Sequence, residues 1–461
     1  MRYEFVIIGA GVAGIFAALE LKKKRRQVLM IDKGKMLEDR VCPCGQNTEG
    51  NGDTGDKYIG FGGLGLSEGK FNYTNDFGGD LAHQVGDEQA LELMNDVDQV
   101  LTTHGANRTE MYTTYDPELT ALAQEAGFSV LSTKTRHLGT DLSRMVFRAF
   151  YEELKVETDF CFQTEVHTIT PQAAGGFQLI LEDGEVVSAD TILLATGRSG
   201  NEWLARQCDI LGIQRGETRV DLGLRIEMRG NQLQAILRHS VETKLRYEGH
   251  GYSATTYCMN PRGRVILKKQ EGLAMPDGQN YRERKDGGTA NLNFTLFVPS
   301  FFPSLAEADR YLHDVVGTIN RGRSRIAAQR LRDLRKPRSS HSLGSDREAC
   351  SIIPTLDAEF TDLRSEVPEL YIRATLEFLD ALERLIREPI DQETILYAMD
   401  SKLYSPGIKT NERFETQIPR MFAIGDCSGT THSLSQAAAS GLYVGRLLST
   451  EPHLGKIPWA F

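Results

Sequence analysis

Near its start the chain runs through three successive apolar stretches of two kinds. "YEFVIIG" is an unbroken apolar run rich in β-branched residues, "VAGIFAALELKKK" repeats its apolar positions at helical spacing, and "QVLMID" is a second short apolar run. A continuous apolar run of strand length suits a parallel strand buried on both faces, so the succession predicts a βαβ unit. Further on, "FCFQTEVHTITPQAAGGFQLILEDGEVVSAD" reads as a β-meander with turns at Gly175-Gly176 and Asp183-Gly184. "ADTILLATGRSG" reads as a buried strand ending at Ala195-Thr196-Gly197. Near the end, "RMFAIGD" is a strand and a helix of small residues begins at about Ser433. Between these regions the pattern changes. "RVDLGLRIEM", "GYSATTYCMNPRGRVIL" and "GGTANLNFTLFV" suit antiparallel strands, and "SEVPELYIRATLEFLDALERLI" an amphipathic helix. The expected class is α/β, with a Rossmann-type domain over 1–219 and 404–461 and an α+β cap or substrate domain inserted over 220–403.

The turn after the first strand is Gly9-Ala10-Gly11-Val12-Ala13-Gly14, and Asp32 closes the second strand. This G-x-G-x-x-G with an acid at the right interval is the dinucleotide fingerprint. Gly9 makes the tight turn, Gly11 lets backbone approach a pyrophosphate at the helix N-terminus, and Gly14 allows close helix–strand packing, while Asp32 is placed to accept ribose hydroxyls. The basic run Lys22–Arg26 is read as helix-end charge.

At 461 residues, two structural units are expected, and 40% apolar with 25% charged residues is ordinary for a globular protein. A net charge of -10 argues against a general nucleic-acid binder. The exception is the arginine-dense Arg321–Ser340, with Arg338 its last arginine. It is read as a solvated helix with a basic face, or else as a clamp for an anionic substrate, a transient NADPH phosphate, or a nucleic-acid or acidic-protein partner. The uncharged stretch Phe5–Leu19 is too short to span a bilayer and is followed at once by Glu20, and the seven cysteines are mostly scattered. A cytoplasmic protein is expected.

Beyond the fingerprint, the motifs are "FGGLGLSEGKFN", "HLGTD" (His137–Asp141), "VDLGLRIE" (Val220–Glu227), "YCMNPRGRVI" (Tyr257–Ile266) and the terminal Gly425-Asp426 with its helix. In these the chain resembles the glutathione-reductase-type FAD oxidoreductases. It is most similar to bacterial FAD-dependent dehydrogenases that carry a Gly-Gly-x-Gly-x-x-Ser-x-Gly-Lys loop. The resemblance spans essentially the whole chain and implies FAD as the resident dinucleotide, with NAD(P)H as a possible transient co-substrate. It implies cofactor contacts from Gly9, Gly11, Gly14, Asp32, Lys33 and Arg40, then from Gly62, Gly63, Gly65, Ser67 and Lys70 of the second glycine loop. Val166, Thr196, Gly197, Gly425, Asp426, Ser435 and Gln436 complete that set. Catalytic candidates are His432, Ser435, Cys427 and Tyr257. Cys427 stands where the resemblance has Gly-Ala-Gly after Gly-Asp, which brings a thiol toward the cofactor. Arg225, Tyr252, Tyr257, Cys258, Arg262, Asn293 and His341 are substrate candidates in the cap.

The implied activity is hydride transfer between flavin and a small organic substrate. Its alternatives are a flavin monooxygenase or oxidase and a non-catalytic redox-responsive binding module. Cys42-Pro43-Cys44 follows Asp32 at an interval that suggests a disulfide reductase. The spacing is wrong for one, however, and no second fingerprint follows. The pair is left as structural thiols, a redox-sensitive pair or part of a metal site.

Overall fold

The computed structural model describes residues 1–40, 59–239, 243–270, 272–281, 287–336, 351–404 and 406–451. Cys42, Cys44, Arg338, His341 and the side chains of Ser67 and Cys258 lie outside the described parts. The chain forms two units.

The first unit comprises 1–113, 133–216 and 405–461. Its βαβ unit is β1 (Arg2–Ile8), α1 (Val12–Lys22) and β2 (Val28–Asp32). Helix α2 (Gly139–Leu154) follows, then β3 (Thr158–Phe162), β4 (Val166–Pro171), β5 (Phe177–Leu181) and β6 (Val186–Leu194). The sheet order is β3-β2-β1-β6-β5-β4, and a return strand, Met421–Ala423, pairs with β6. From β3 through β6 to the return strand every pairing is parallel, whereas β5 and β4 are antiparallel. Strand β6 serves both arrangements: Val186–Ala189 pair with β5, and Ile192–Leu194 with the return strand. The expected meander therefore begins at β4, because β3 pairs instead with β2 and lays Phe160 and Phe162 against Phe61.

Helix α1 is buried from Val12 to Leu21, which explains why its apolar residues are not confined to one stripe. Its other cover is the terminal helix, Leu434–Thr450. A Cβ on Gly441 would overlap the Ala13 carbonyl, and one on Gly445 would lie 2.8 Å from that of Ala17. Small residues let the two backbones touch, which fixes the start of the terminal helix relative to the first glycine turn.

The second unit comprises 217–404 together with Thr114–Ser132. That last segment was expected in the Rossmann domain. It belongs here because its strand Phe128–Leu131 extends this unit's sheet, and Leu119, Ala123 and Phe128 enter its core. The main strands are β7 (Thr218–Arg229), β8 (Lys244–Gly249), β9 (Tyr252–Pro261), β10 (Asn291–Phe302) and β11 (Ile395–Leu403). Among the described residues the sheet runs Glu359–Phe360, Ala327–Arg330, β11, β7, β10, β9, β8, Phe128–Leu131. Alternation along β7 divides its faces. Val220, Leu222, Leu224, Ile226 and Met228 pack in a core with helix α3 (Glu369–Ile386), and the intervening Arg219, Asp221, Arg225 and Glu227 point to the other side.

Two polar networks hold that second side. Glu227 is fully buried and accepts hydrogen bonds from Asn291 Nδ2 (2.8 Å), Thr355 Oγ1 (2.6 Å), Thr355 N (3.2 Å) and Tyr397 OH (2.6 Å). Arg225, also buried, donates to Asn293 Oδ1 and to Thr295 Oγ1 (2.8 Å), and Thr295 in turn donates to Asp400 Oδ2 (2.6 Å). Burial pushes the Asp400 carboxyl up to about 6, although Arg225 draws it down. Between about pH 4 and 6 the folded chain therefore holds a proton that the unfolded chain has released, so this group makes stability fall as pH rises. Asp400→Asn is expected to remove that slope. The variant should gain about 3 kcal/mol on wild type between pH 4 and pH 7, read by urea unfolding at the two pH values.

The arginine-rich segment is not a solvated helix. It is a turn, the strand Ala327–Arg330 and a short helix Leu331–Leu334, because Ile326, Ala328 and Leu331 are core residues. Several arginines of its described part meet carboxylates of the same unit. Arg325 binds Glu359 (2.9 Å) and Glu366 (2.6 Å), Arg330 and Arg332 bind Glu393, and Arg335 binds Asp380 (2.7 Å) and Glu383 (3.0 Å).

Candidate dinucleotide site

The site lies in the first unit, where the chain order of the parallel sheet reverses about β1. The chain leaves β1 toward β2 on one side, and β6 lies on the other, so the connections leaving their carboxyl ends part around the crevice where doubly wound sheets bind ligands. Three strand ends stand side by side there, since Ile8 pairs with Leu194 and Leu194 with Ala423.

The first glycine turn distributes its residues unequally. Gly9 has φ +111°, and a Cβ there would overlap the Ala195 carbonyl oxygen; a Cβ on Gly14 would overlap the Gly9 carbonyl. Gly11 is different. It has φ -76°, open to any residue, and a Cβ there would meet nothing within 4 Å. Gly9 and Gly14 are thus required by the fold, whereas the absence of a side chain at Gly11 leaves clear space before the first amides of α1.

Asp32 does more than its sequence position suggests. Its Oδ2 accepts from Ala10 N (2.7 Å), and its Oδ1 from Gly34 N (2.7 Å) and Gly60 N (3.0 Å). One carboxylate therefore ties together the first glycine turn, the end of β2 and the start of the second glycine loop. Three acceptor positions are used of about four that a carboxylate offers.

The second loop is held from beneath. Gly62 N donates to Ala10 O (2.8 Å), the Arg40 guanidinium donates to Phe61 O and Gly63 O, and Arg144 donates to Arg40 O (2.6 Å). Side chains at Gly62 and Gly65 would press on the Phe147 ring, at 3.0 and 2.5 Å. Arg40, expected at the cofactor, is buried beneath the loop as its clamp. Lys33 Nζ donates to Ser199 O (2.9 Å), and Lys70 opens the strand Lys70–Tyr73.

At the β6 and return-strand ends, Arg198 Nε donates to Asp426 Oδ2 (2.9 Å) while its guanidinium also reaches His432 O (3.3 Å). This links the loop after Thr196-Gly197 to the Gly425-Asp426 turn. Thr431 Oγ1 donates to Asp426 Oδ1 (3.2 Å). Val166 is a core residue whose carbonyl accepts from the Trp203 indole. The terminal helix is capped by Ser433 Oγ, which accepts from Gln436 N (3.3 Å). Gln436 is buried and organises the loop before it, donating to Thr74 O (3.2 Å) and accepting from Leu81 N (3.2 Å). His432 N donates to Gly78 O (2.8 Å), and its side chain is half-buried. In the helix's first turn Ser435 is fully buried, and its Oγ has no hydrogen-bond partner among the described residues.

Cys427 does not present a reactive thiol. It is fully buried and donates to Leu194 O (3.3 Å) and Ile424 O (3.2 Å), and burial pushes its pKa up to about 11. It is a packing residue behind the turn. Tyr257 belongs to the second unit, on the polar side of its sheet, where burial raises its phenol above the ordinary value. Of the other cap candidates, Tyr252 faces the apolar core and donates to Glu377, Asn293 holds Arg225, and Arg262 stacks on Tyr281 with its centre 5.1 Å from the ring centroid. Arg198, Trp203 and Arg144 are site-building residues that carry no motif of their own. Among the described residues, no group of three or more His, Cys, Asp or Glu side chains is placed to hold a metal ion, and no helix is long and apolar enough to cross a membrane.

Compared with known protein families, the chain matches none. An uncharacterized protein of Clostridium beijerinckii is 23% identical over 465 residues, covering 95% of this chain and 79% of that one. Among solved structures, 3-ketosteroid-Δ4-(5α)-dehydrogenase from Rhodococcus jostii, in complex with 4-androstene-3,17-dione, is 13% identical at a TM-score of 0.44. It covers 98% of this chain and 97% of its own. Aklavinone-11 hydroxylase, with FAD and aklavinone, is 12% identical at a TM-score of 0.36; this chain spans 61% of its length.

Proposed function

We propose that the chain is an FAD-dependent oxidoreductase acting on a small organic substrate. The observation that carries this reading is the convergence of three strand ends, β1, β6 and the return strand, on one crevice that opens at Gly11. The residues fit the cofactor on two counts. The clear space before α1 suits a pyrophosphate, and the buried Ser435 hydroxyl in the first turn of the terminal helix is a polar atom in need of a partner. FAD, when bound, supplies hydride transfer with the substrate. The protein's share is to hold and orient it: the α1 amides at the pyrophosphate, the remaining acceptor position of Asp32 at a ribose hydroxyl, Gly62, Gly63, Gly65 and Gly197 along its length. The start of the terminal helix, with Ser435 and His432, lies at the reacting end, where a helix N-terminus favours negative charge. NAD(P)H serves as a transient electron donor.

The test is anaerobic rapid mixing of the flavin-loaded protein with NADH and NADPH separately. Bleaching of the oxidised-flavin band by one of them is expected. A loaded protein bleached by neither would overturn the nucleotide-driven form of the proposal.

A further inference from the structure

The loop that follows β6 is tied down on two sides by cationic side chains. On one side Lys33, the residue after β2, donates from Nζ to Ser199 O at 2.9 Å. Since β1 lies between β2 and β6 in the sheet, this bond passes the carboxyl end of β1, where the first glycine turn begins. On the other side Arg198 Nε donates to Asp426 Oδ2 at 2.9 Å, and the same guanidinium reaches His432 O at 3.3 Å, beyond the return strand. With these ties the loop is a strap laid past the ends of β2, β1, β6 and the return strand, every part of it within the first unit.

The strap is built to move. Its two ends touch, since a Cβ on Gly200 would lie 2.4 Å from Thr196 Cβ, so the residues between them project as a small tip. Gly197 begins that tip with φ +58° and ψ -161°, a conformation reached almost by glycine alone, and a Cβ there would meet nothing within 4 Å. Few residues are needed to hinge a loop of this size. Lys33, Arg198 and Ser199 are exposed, and in the Arg198–Asp426 pair the side chains are 46% and 19% exposed. Ties that stand in water are weak singly, so they break and re-form readily.

We infer that this strap sets how fast the dinucleotide enters and leaves the crevice, and not how tightly it is held. The inference rests on the proposed function, which puts the ribose at Asp32, next to Lys33, and the reacting end at His432, whose carbonyl Arg198 holds. A gate whose closing energy is the same with and without cofactor scales entry and exit by one factor and leaves their ratio alone. A side chain that contacts the cofactor behaves differently, because its loss speeds exit and weakens affinity together. Lys33 and Arg198 are therefore latches of the strap.

The experiment compares wild type with the double variant Lys33→Met, Arg198→Gln. Uptake of FAD by the flavin-free full chain is followed by flavin fluorescence, and release by exchange of bound FAD for radiolabelled FAD. Both rate constants are expected to rise about tenfold in the double variant and about threefold in each single variant, two exposed ties being lost in the first and one in the others. The affinity implied by their ratio, and the melting temperature of the flavin-free chain, should stay as in wild type. The single variants carry the same test if the double variant does not fold. Faster release with unchanged uptake would overturn the inference and make these side chains cofactor contacts. Unchanged rates in a folded variant that binds FAD would sink this inference alone. A folded wild-type chain that takes up no FAD would sink the proposed function, and the strap's role with it.

Discussion

Glu227→Leu is expected to lower the unfolding free energy by about 3–5 kcal/mol, the largest single-residue effect on stability in the second unit. Four donors from three residues end on this carboxylate: Asn291 Nδ2, Thr355 Oγ1 and N, and Tyr397 OH. Leucine fills most of the volume and accepts none of them, so each buried donor forfeits its partner, at about 1–3 kcal/mol apiece if nothing relaxes. Asn291 retains its second bond, to Ile353 O at 2.9 Å, which keeps the total below the simple sum. Glu227→Gln, which keeps one acceptor oxygen, should cost about 1–2 kcal/mol, and Tyr397→Phe about 1 kcal/mol. Urea unfolding midpoints at constant slope would check the order Leu > Gln > Phe. A Glu227→Leu variant as stable as wild type would mean that the network is not closed as described.

Gly11→Ala has the largest expected effect on function. Its Cβ meets no protein atom within 4 Å and its φ of -76° suits alanine, so the fold should tolerate it with a loss below about 1 kcal/mol, the difference between glycine and alanine at a helix N-cap. The added methyl occupies the space assigned to the pyrophosphate, and FAD affinity should fall at least tenfold. Gly9→Ala and Gly14→Ala are the contrast. Their methyl groups would overlap backbone carbonyls, so these variants should lose stability and cofactor together, by about 2–3 kcal/mol in stability. Melting curves and flavin retention measured on all three separate the binding role from the packing role. Equal loss of stability across the three would remove the distinction.

What the sequence made legible was local. The βαβ unit announced itself because an apolar run, a glycine turn and a helical period follow one another within thirty-odd positions, each with its own signature. Helix α3 and the terminal helix were legible for the same reason, one from its amphipathic stripe and the other from its small residues. Features assembled from distant parts of the chain were not. Asp32 could be placed at a strand end, but its amide partners Gly34 and Gly60 meet it only once the second loop folds back. Cys427 reads as a thiol beside a cofactor and is buried in the core, where the carbonyls that receive it are those of Leu194 at the end of β6 and of Ile424 just after the return strand. The arginine segment reads as surface charge since its partners, Glu359, Glu366, Asp380, Glu383 and Glu393, lie well beyond it in sequence. Thr114–Ser132 carries no signal of its own that it will add a strand to the other unit's sheet.

The most direct test of the central claim is the flavin released from the purified, denatured protein, identified by chromatography and counted against chain concentration. The account predicts FAD, close to one per chain after reconstitution, in wild type and a small fraction of that in folded Gly11→Ala. A folded wild-type chain that retains no FAD after incubation with excess cofactor, or a Gly11→Ala variant that retains it fully, would contradict the account.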